Sequence, residues 1–169
     1  GGPWKKMRSS AVTGERLRIC TWNVEGLTEE TLVSLMVYME RAGIHVLCMT
    51  ESRRKETAHY VHEQGFLVAL SSNPEEQDYA GVGFIVHPSV RSSVLGLELH
   101  SSRLCVLKLH TPGGKTVVFS GYAPHAEHED DSRGAFFRAF PFFGVPHRVM
   151  VLKSWLVRTL THDYINSCL

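Results

Sequence analysis

The stretch from Leu17 to Thr50 constrains the fold of this chain more than any other. Leu17–Val24 is a short apolar run with the β-branched content of a strand, and Gly26 breaks it. Thr28 can cap a helix, with Glu29 and Glu30 in a first turn where the helix dipole favours acid. Leu32, Leu35, Met36 and Met39 then recur at the spacing of one helical face, and Gly43 stops the helix. His45–Thr50 is a second apolar strand. Strand, helix and strand in that order form a βαβ unit, which predicts parallel strands and a right-handed crossover.

The next stretch has a different rhythm. Phe66–Ser71, Ala80–His87, Ser92–Leu99, Arg103–His110 and Lys115–Tyr122 read as five strands joined by turns such as Asn73-Pro74 and Thr111-Pro112-Gly113-Gly114. Connections that short hold no crossover helix, so these strands should run antiparallel. The class is α/β with a mixed sheet covered by helices. An acidic loop, His125–Asp131, then a short helix, Ser132–Phe140, and a buried strand, His147–Leu152, should follow. Residues 1–16 read as a flexible leader and 153–169 as a tail without clear period.

Composition adds limits. The 169 residues are 43% hydrophobic and 21% charged, with a formal net charge of +1. That suits one globular domain and supplies no strong overall field toward nucleic acid. No run approaches the ~20 apolar residues of a membrane span, so no membrane partner is expected. No apolar run follows the early Lys5, Lys6 and Arg8, which argues against a signal peptide. Cys20, Cys48 and Cys105 lie in apolar runs and, with Cys168, form no C-x-x-C pair. Buried reduced thiols of an intracellular protein are the simplest reading.

Two residues could carry chemistry on geometry alone. Asn23 ends the first strand of the βαβ unit and Glu51 follows the second. Neighbouring strands lie about 4.8 Å apart. Both groups should therefore emerge at one carboxyl edge, where α/β sheets place ligands. A carboxylate and an amide oxygen there suit Mg²⁺, a hard cation. On geometry alone, ordinary turn and cap residues are the better account of the same pair.

The local motifs are more specific. Thr21-Trp22-Asn23-Val24-Glu25-Gly26-Leu27, Met49-Thr50-Glu51-Ser52-Arg53, Gly81-Val82-Gly83-Phe84-Ile85-Val86 and Ser120-Gly121-Tyr122-Ala123-Pro124 occur in that order. Together they resemble the motifs of the endonuclease/exonuclease/phosphatase superfamily, the DNase I-like proteins. Tyr122-Ala123-Pro124-His125 looks most like the endonuclease domains of non-LTR retrotransposons and their relatives. The resemblance covers 17–152.

It implies a mixed-sheet α/β sandwich of DNase I-like type, incomplete, with the strands of the second sheet largely missing. It also implies a DNA-cleaving phosphodiesterase that binds Mg²⁺ or Mn²⁺ weakly, in an intracellular setting that includes the nucleus. Glu51 and Asn23 would lie at the metal, and Tyr122 and His125 at the scissile phosphate, although the family often has Asn where His125 stands. Arg53 would touch DNA phosphate, as guanidinium suits. Arg103 could do the same at the start of its strand, although a solvated charge is the simpler account.

The chain departs from the family pattern further on. The strand at 147–152 is followed by Lys153-Ser154-Trp155-Leu156, where the family has Gly-Asp-x-Asn, and Ser-Asp-His is absent. His162-Asp163 has the residue types in the wrong order. The resemblance is thus to a truncated or frameshifted member, weak or inactive as a nuclease. A non-catalytic binding remnant is one alternative, and a phosphatase or sphingomyelinase relative is another. Trp22 is expected in the core, and His59, His62 and Glu63 on a helix surface. Phe136, Phe137, Phe140, Phe142 and Phe143 are expected to form an exposed apolar patch. The cluster His125, His128, Glu129, Asp130 and Asp131 reads as a solvated loop.

Overall fold

The first strand, β1 (Ile19–Asn23), leads into helix α1 (Glu29–Ala42) and returns through β2 (Val46–Thr50). This is a computed structural model, and it describes residues 17–75 and 80–122, with 148–153 as backbone. The leader, the acidic loop, the helix at 132–140, the phenylalanine cluster and the tail from 154 lie outside the described residues. The helix forms as its sequence predicts. Thr28 accepts a hydrogen bond from the Thr31 N–H, and Gly43 closes the helix in the left-handed conformation. Its buried residues are Leu32, Leu35, Met36 and Met39. β1 and β2 pair in parallel, Asn23 level with Thr50.

Then come β3 (Ala58–Val61), β4 (Leu67–Ser71), β5 (Val82–Val86), a short helix α2 (Pro88–Arg91), β6 (Val94–Ser101), β7 (Leu104–Thr111), β8 (Gly114–Gly121) and β9 (Arg148–Lys153). The strands form two sheets, a five-stranded one in the order β1-β2-β5-β4-β3 and a four-stranded one in the order β6-β7-β8-β9. The fold is thus a mixed-sheet α/β sandwich. The five strands expected to run antiparallel do so, but the turn at α2 carries the chain from the first sheet to the second. β9 pairs in parallel with β8.

The expectation that the second sheet would be largely missing is overturned, because β6 to β9 build it. Side-chain alternation shows how the layers meet. Val46, Cys48, Ala69, Val82, Phe84 and Val86 of the first sheet share a core with Cys105, Leu107, Leu109 and Val118 of the second. The residues between them in sequence, Leu47, Met49, Val68 and Ile85, face the other way and bury the apolar side of α1. The order across the molecule is therefore helix, sheet, sheet. β2 and β5 are buried on both faces.

Two further expectations fail. His59 lies in β3 and not on a helix, because residues 58–61 pair antiparallel with β4. Gly65, at φ +86°, closes that hairpin with its N–H on the His62 carbonyl. Trp22 is 40% exposed. It sits on the end strand of its sheet, in an edge-on contact with Tyr38 from α1, ring centroids 5.6 Å apart. A large apolar residue on an edge strand lacks a neighbour to cover it, which is why hydrophobicity alone misplaced it.

Candidate functional site

The carboxyl ends of β1, β2 and β8 share one rim of the sandwich. Inside the fold, the Ser120 hydroxyl of β8 donates to the Met49 carbonyl of β2 at 3.1 Å. That bond aligns the two strands across the sheets, so Glu51 and Tyr122, each two residues further on, lie at the same end of the sandwich. Two more bonds join the sheets there, from the Gly81 N–H to the Ser102 carbonyl at 2.9 Å and from the Ser71 hydroxyl to the Ser101 carbonyl at 2.6 Å.

Asn23 and Glu51 converge. The Asn23 amide Nδ2 donates to Glu51 Oε1 at 2.9 Å, and its Oδ1 accepts from the Glu25 N–H at 3.2 Å. These contacts fix the amide. Turning it over would set oxygen against carboxylate and NH₂ against N–H. Asn23 thus presents its nitrogen, not its oxygen, to the carboxylate. The second oxygen, Glu51 Oε2, lies 3.6 Å from the Arg53 guanidinium. The Glu51 side chain is 14% exposed and that of Arg53 41% exposed, so the pair sits at the opening of the rim.

Surrounding backbone bonds hold this arrangement against strain. Glu51 and Arg53 both have left-handed φ values, 56° and 53°, and Glu25 has 47°. Such conformations cost a non-glycine residue roughly 1 kcal/mol or more each and persist where surroundings over-determine them. Here they do. The Ser52 N–H is bonded to the Gly81 carbonyl and the Arg53 N–H to the Ala80 carbonyl, while the Gly26 N–H reaches the Glu51 carbonyl. Ser52 is packed so closely that a Cβ on Gly81 would lie 2.2 Å from its hydroxyl. Gly81 was visible in sequence only as part of a glycine-bearing strand; its contact with Ser52 was not. Thr50 and Ser52 each bury a hydroxyl without a hydrogen-bond partner among the described residues.

Tyr122 is 5% exposed, its N–H on the Arg103 carbonyl, with the Arg103 guanidinium 5.5 Å from the ring centroid. Arg103 and Tyr122 are therefore stacked together, a cation–π contact. Arg54, beside Arg53 in sequence, turns instead to Glu29 at the start of α1, 2.6 Å away. His125 lies outside the described residues. Lys153 ends β9 level with Gly121.

Glu51 offers two carboxylate oxygens at an opening, which fits an ion that keeps most of its waters and takes one or two carboxylates. Among the described residues no three His, Cys, Asp or Glu side chains gather, so a tight all-protein cage is not present there. Cys48 and Cys105 do not compete as ligands, because burial pushes both thiols well above their usual range and keeps them protonated.

A helix packs on one face of two stacked mixed sheets, an α/β sandwich with a carboxylate at the shared rim. One solved structure bears out the fold. An endonuclease/exonuclease/phosphatase family protein from Leptotrichia buccalis superposes with a TM-score of 0.50 at 13% identity, over 82% of this chain and 66% of that one. Humanized D. rerio TDP2 gives 0.48 at 16% identity, over 72% and 56%, and the Xenopus laevis APE2 catalytic domain gives 0.48 at 17%, over 70% and 48%. The chain thus spans about half to two thirds of the length of these structures. No family model matches the sequence, and no curated protein matches it.

Proposed function

We propose that this chain is a metal-dependent phosphodiesterase module of DNA-acting type, akin to retrotransposon endonuclease domains, that retains the metal side of the site and little activity. The observation that carries this reading is the Asn23–Glu51 hydrogen bond at the rim it shares with Tyr122. Glu51 would hold Mg²⁺ or Mn²⁺. Asn23 would hold Glu51, since its amide N–H already fixes one carboxylate oxygen. A bound cation would neutralise charge on the scissile phosphate. Arg53, exposed beside it, would meet a phosphate oxygen, and Tyr122 with Arg103 would form the facing wall.

Cleavage also needs a group that handles the proton of the attacking water. Members of a catalytic unit fail together, so losing such groups costs orders of magnitude. The chain has neither Gly-Asp-x-Asn nor Ser-Asp-His. Purified protein should therefore nick supercoiled DNA with Mg²⁺ at a rate within background, indistinguishable from Glu51→Ala. Robust nicking that disappears in Glu51→Ala would refute the low activity while upholding the site.

A second reading, a non-catalytic DNA-binding remnant, draws on Lys153 standing at the end of β9. It predicts duplex binding that Arg53→Ala weakens and Glu51→Ala does not.

A further inference from the structure

Glu51 has two oxygens, one hydrogen-bonded by a neutral donor and one faced by a cation. Asn23 holds Oε1. The Arg53 guanidinium stands 3.6 Å from Oε2, on a side chain aimed there by the left-handed backbone at Arg53 and the bond from its N–H to Ala80. Its stem passes over Gly26, where an added Cβ would touch Arg53 Cδ at 3.7 Å, an ordinary packing distance. A guanidinium is always charged and matches a carboxylate fork.

We propose that Arg53 is a built-in counter-ion of Glu51 that competes with a divalent cation for the carboxylate and must swing off Oε2 when the ion binds. This rests on the reading of Glu51 as the metal ligand. Two effects act together. Arg53 covers one of the two oxygens, and its positive charge repels an arriving cation at short range. Arg54 serves as an internal reference. It carries the same charge one residue away but is engaged with Glu29.

The test is calorimetric titration of Mn²⁺ alone into the protein without DNA, on the wild type and four variants whose folding is checked by circular dichroism. Arg53→Ala should bind Mn²⁺ about three- to tenfold more tightly, in keeping with an ion pair this exposed. Arg53→Gln, which keeps the stem over Gly26, should tighten binding similarly. Arg54→Ala should change affinity less than about twofold, and Glu51→Gln should abolish binding. If Glu51→Gln abolishes binding but both Arg53 variants match the wild type, the competition is refuted and Glu51 remains the ligand. Equal tightening by Arg54→Ala would replace it with a general field effect. Mn²⁺ binding that survives Glu51→Gln overturns the metal assignment and this inference with it.

Discussion

The two ends of the sandwich are built by opposite rules. At the end away from the site, left-handed turns fall on glycine: Gly43 before β2, Gly65 before β4 and Gly114 at the start of β8. At the rim, Gly26 and Gly81 are joined by Glu25, Glu51 and Arg53, the three non-glycine residues with positive φ among those described. Glycine adopts such φ without a Cβ penalty, so the far end is relaxed. The rim carries strain, and it carries it at the residues that converge on one carboxylate. The difference marks the rim as the more tightly held end, independently of any motif, since strain of this kind persists where the surrounding structure imposes it.

The largest expected effect tests what holds the two ends in register. Phe84 is fully buried in the core between the sheets. Phe84→Ala should cost about 3–5 kcal/mol, the usual range for an aromatic truncated in a core. Urea unfolding would measure it. A loss below about 1 kcal/mol would mean that the second sheet does not pack on the first as described.

A glycine pair compares the ends directly. Gly81 and Gly114 have nearly the same φ, 111° and 108°. An added Cβ at Gly81 would strike Ser52, whereas at Gly114 nothing lies within 4 Å. Both Ala variants incur the conformational cost, roughly 1–2 kcal/mol. Gly81→Ala should lose about 1–3 kcal/mol more, because the buried Ser52 side chain must give way. Equal losses would show that the rim yields freely and that Glu51 is not rigidly held.

How much of this was legible in the sequence depended on how local the cause was. Helix α1 was readable end to end, since Thr28, Gly43 and the Leu32–Met39 face act within one segment. The approach of Asn23 to Glu51 followed from the βαβ unit, because parallel neighbours end at the same edge. The division of strands between two sheets was not readable. Whether the chain after β5 turns back or crosses to a new layer is decided by packing between Phe84 and residues such as Leu107, far apart in sequence. β3 escaped notice because a largely exposed end strand has no buried alternation to betray it. Which face of the Asn23 amide meets Glu51 depends on the Glu25 N–H, a detail of the folded turn.

Ser120→Ala probes the register of the rim with a smaller change. The hydroxyl sits at 0% exposure and its bond to the Met49 carbonyl spans the sheets. Removing it leaves a carbonyl short of one partner, so the loss should be about 1–2 kcal/mol. A loss near zero in denaturant melts would show that β2 and β8 are aligned by apolar packing alone.

The smallest effect lies on the outer surface, away from both ends. Glu98 of β6 is hydrogen-bonded to Lys108 of β7, and His100 joins it at 3.0 Å. The Lys108 hydrogen bond is the main reason the Glu98 carboxyl lies below its usual range in the folded protein. A carboxyl whose folded pKa is depressed adds stability that is fully present above its unfolded pKa. That contribution is lost as the pH falls through the folded value. The pair is well exposed, with 42% and 46% of the side chains accessible, so solvent and salt screen it. Lys108→Met should therefore lower stability by at most a few tenths of a kcal/mol at neutral pH. The gap from the wild type should close below the carboxylate range and shrink in molar salt. A gap that stays constant from neutral to strongly acidic pH would assign the effect to packing of the Lys108 stem instead of its charge.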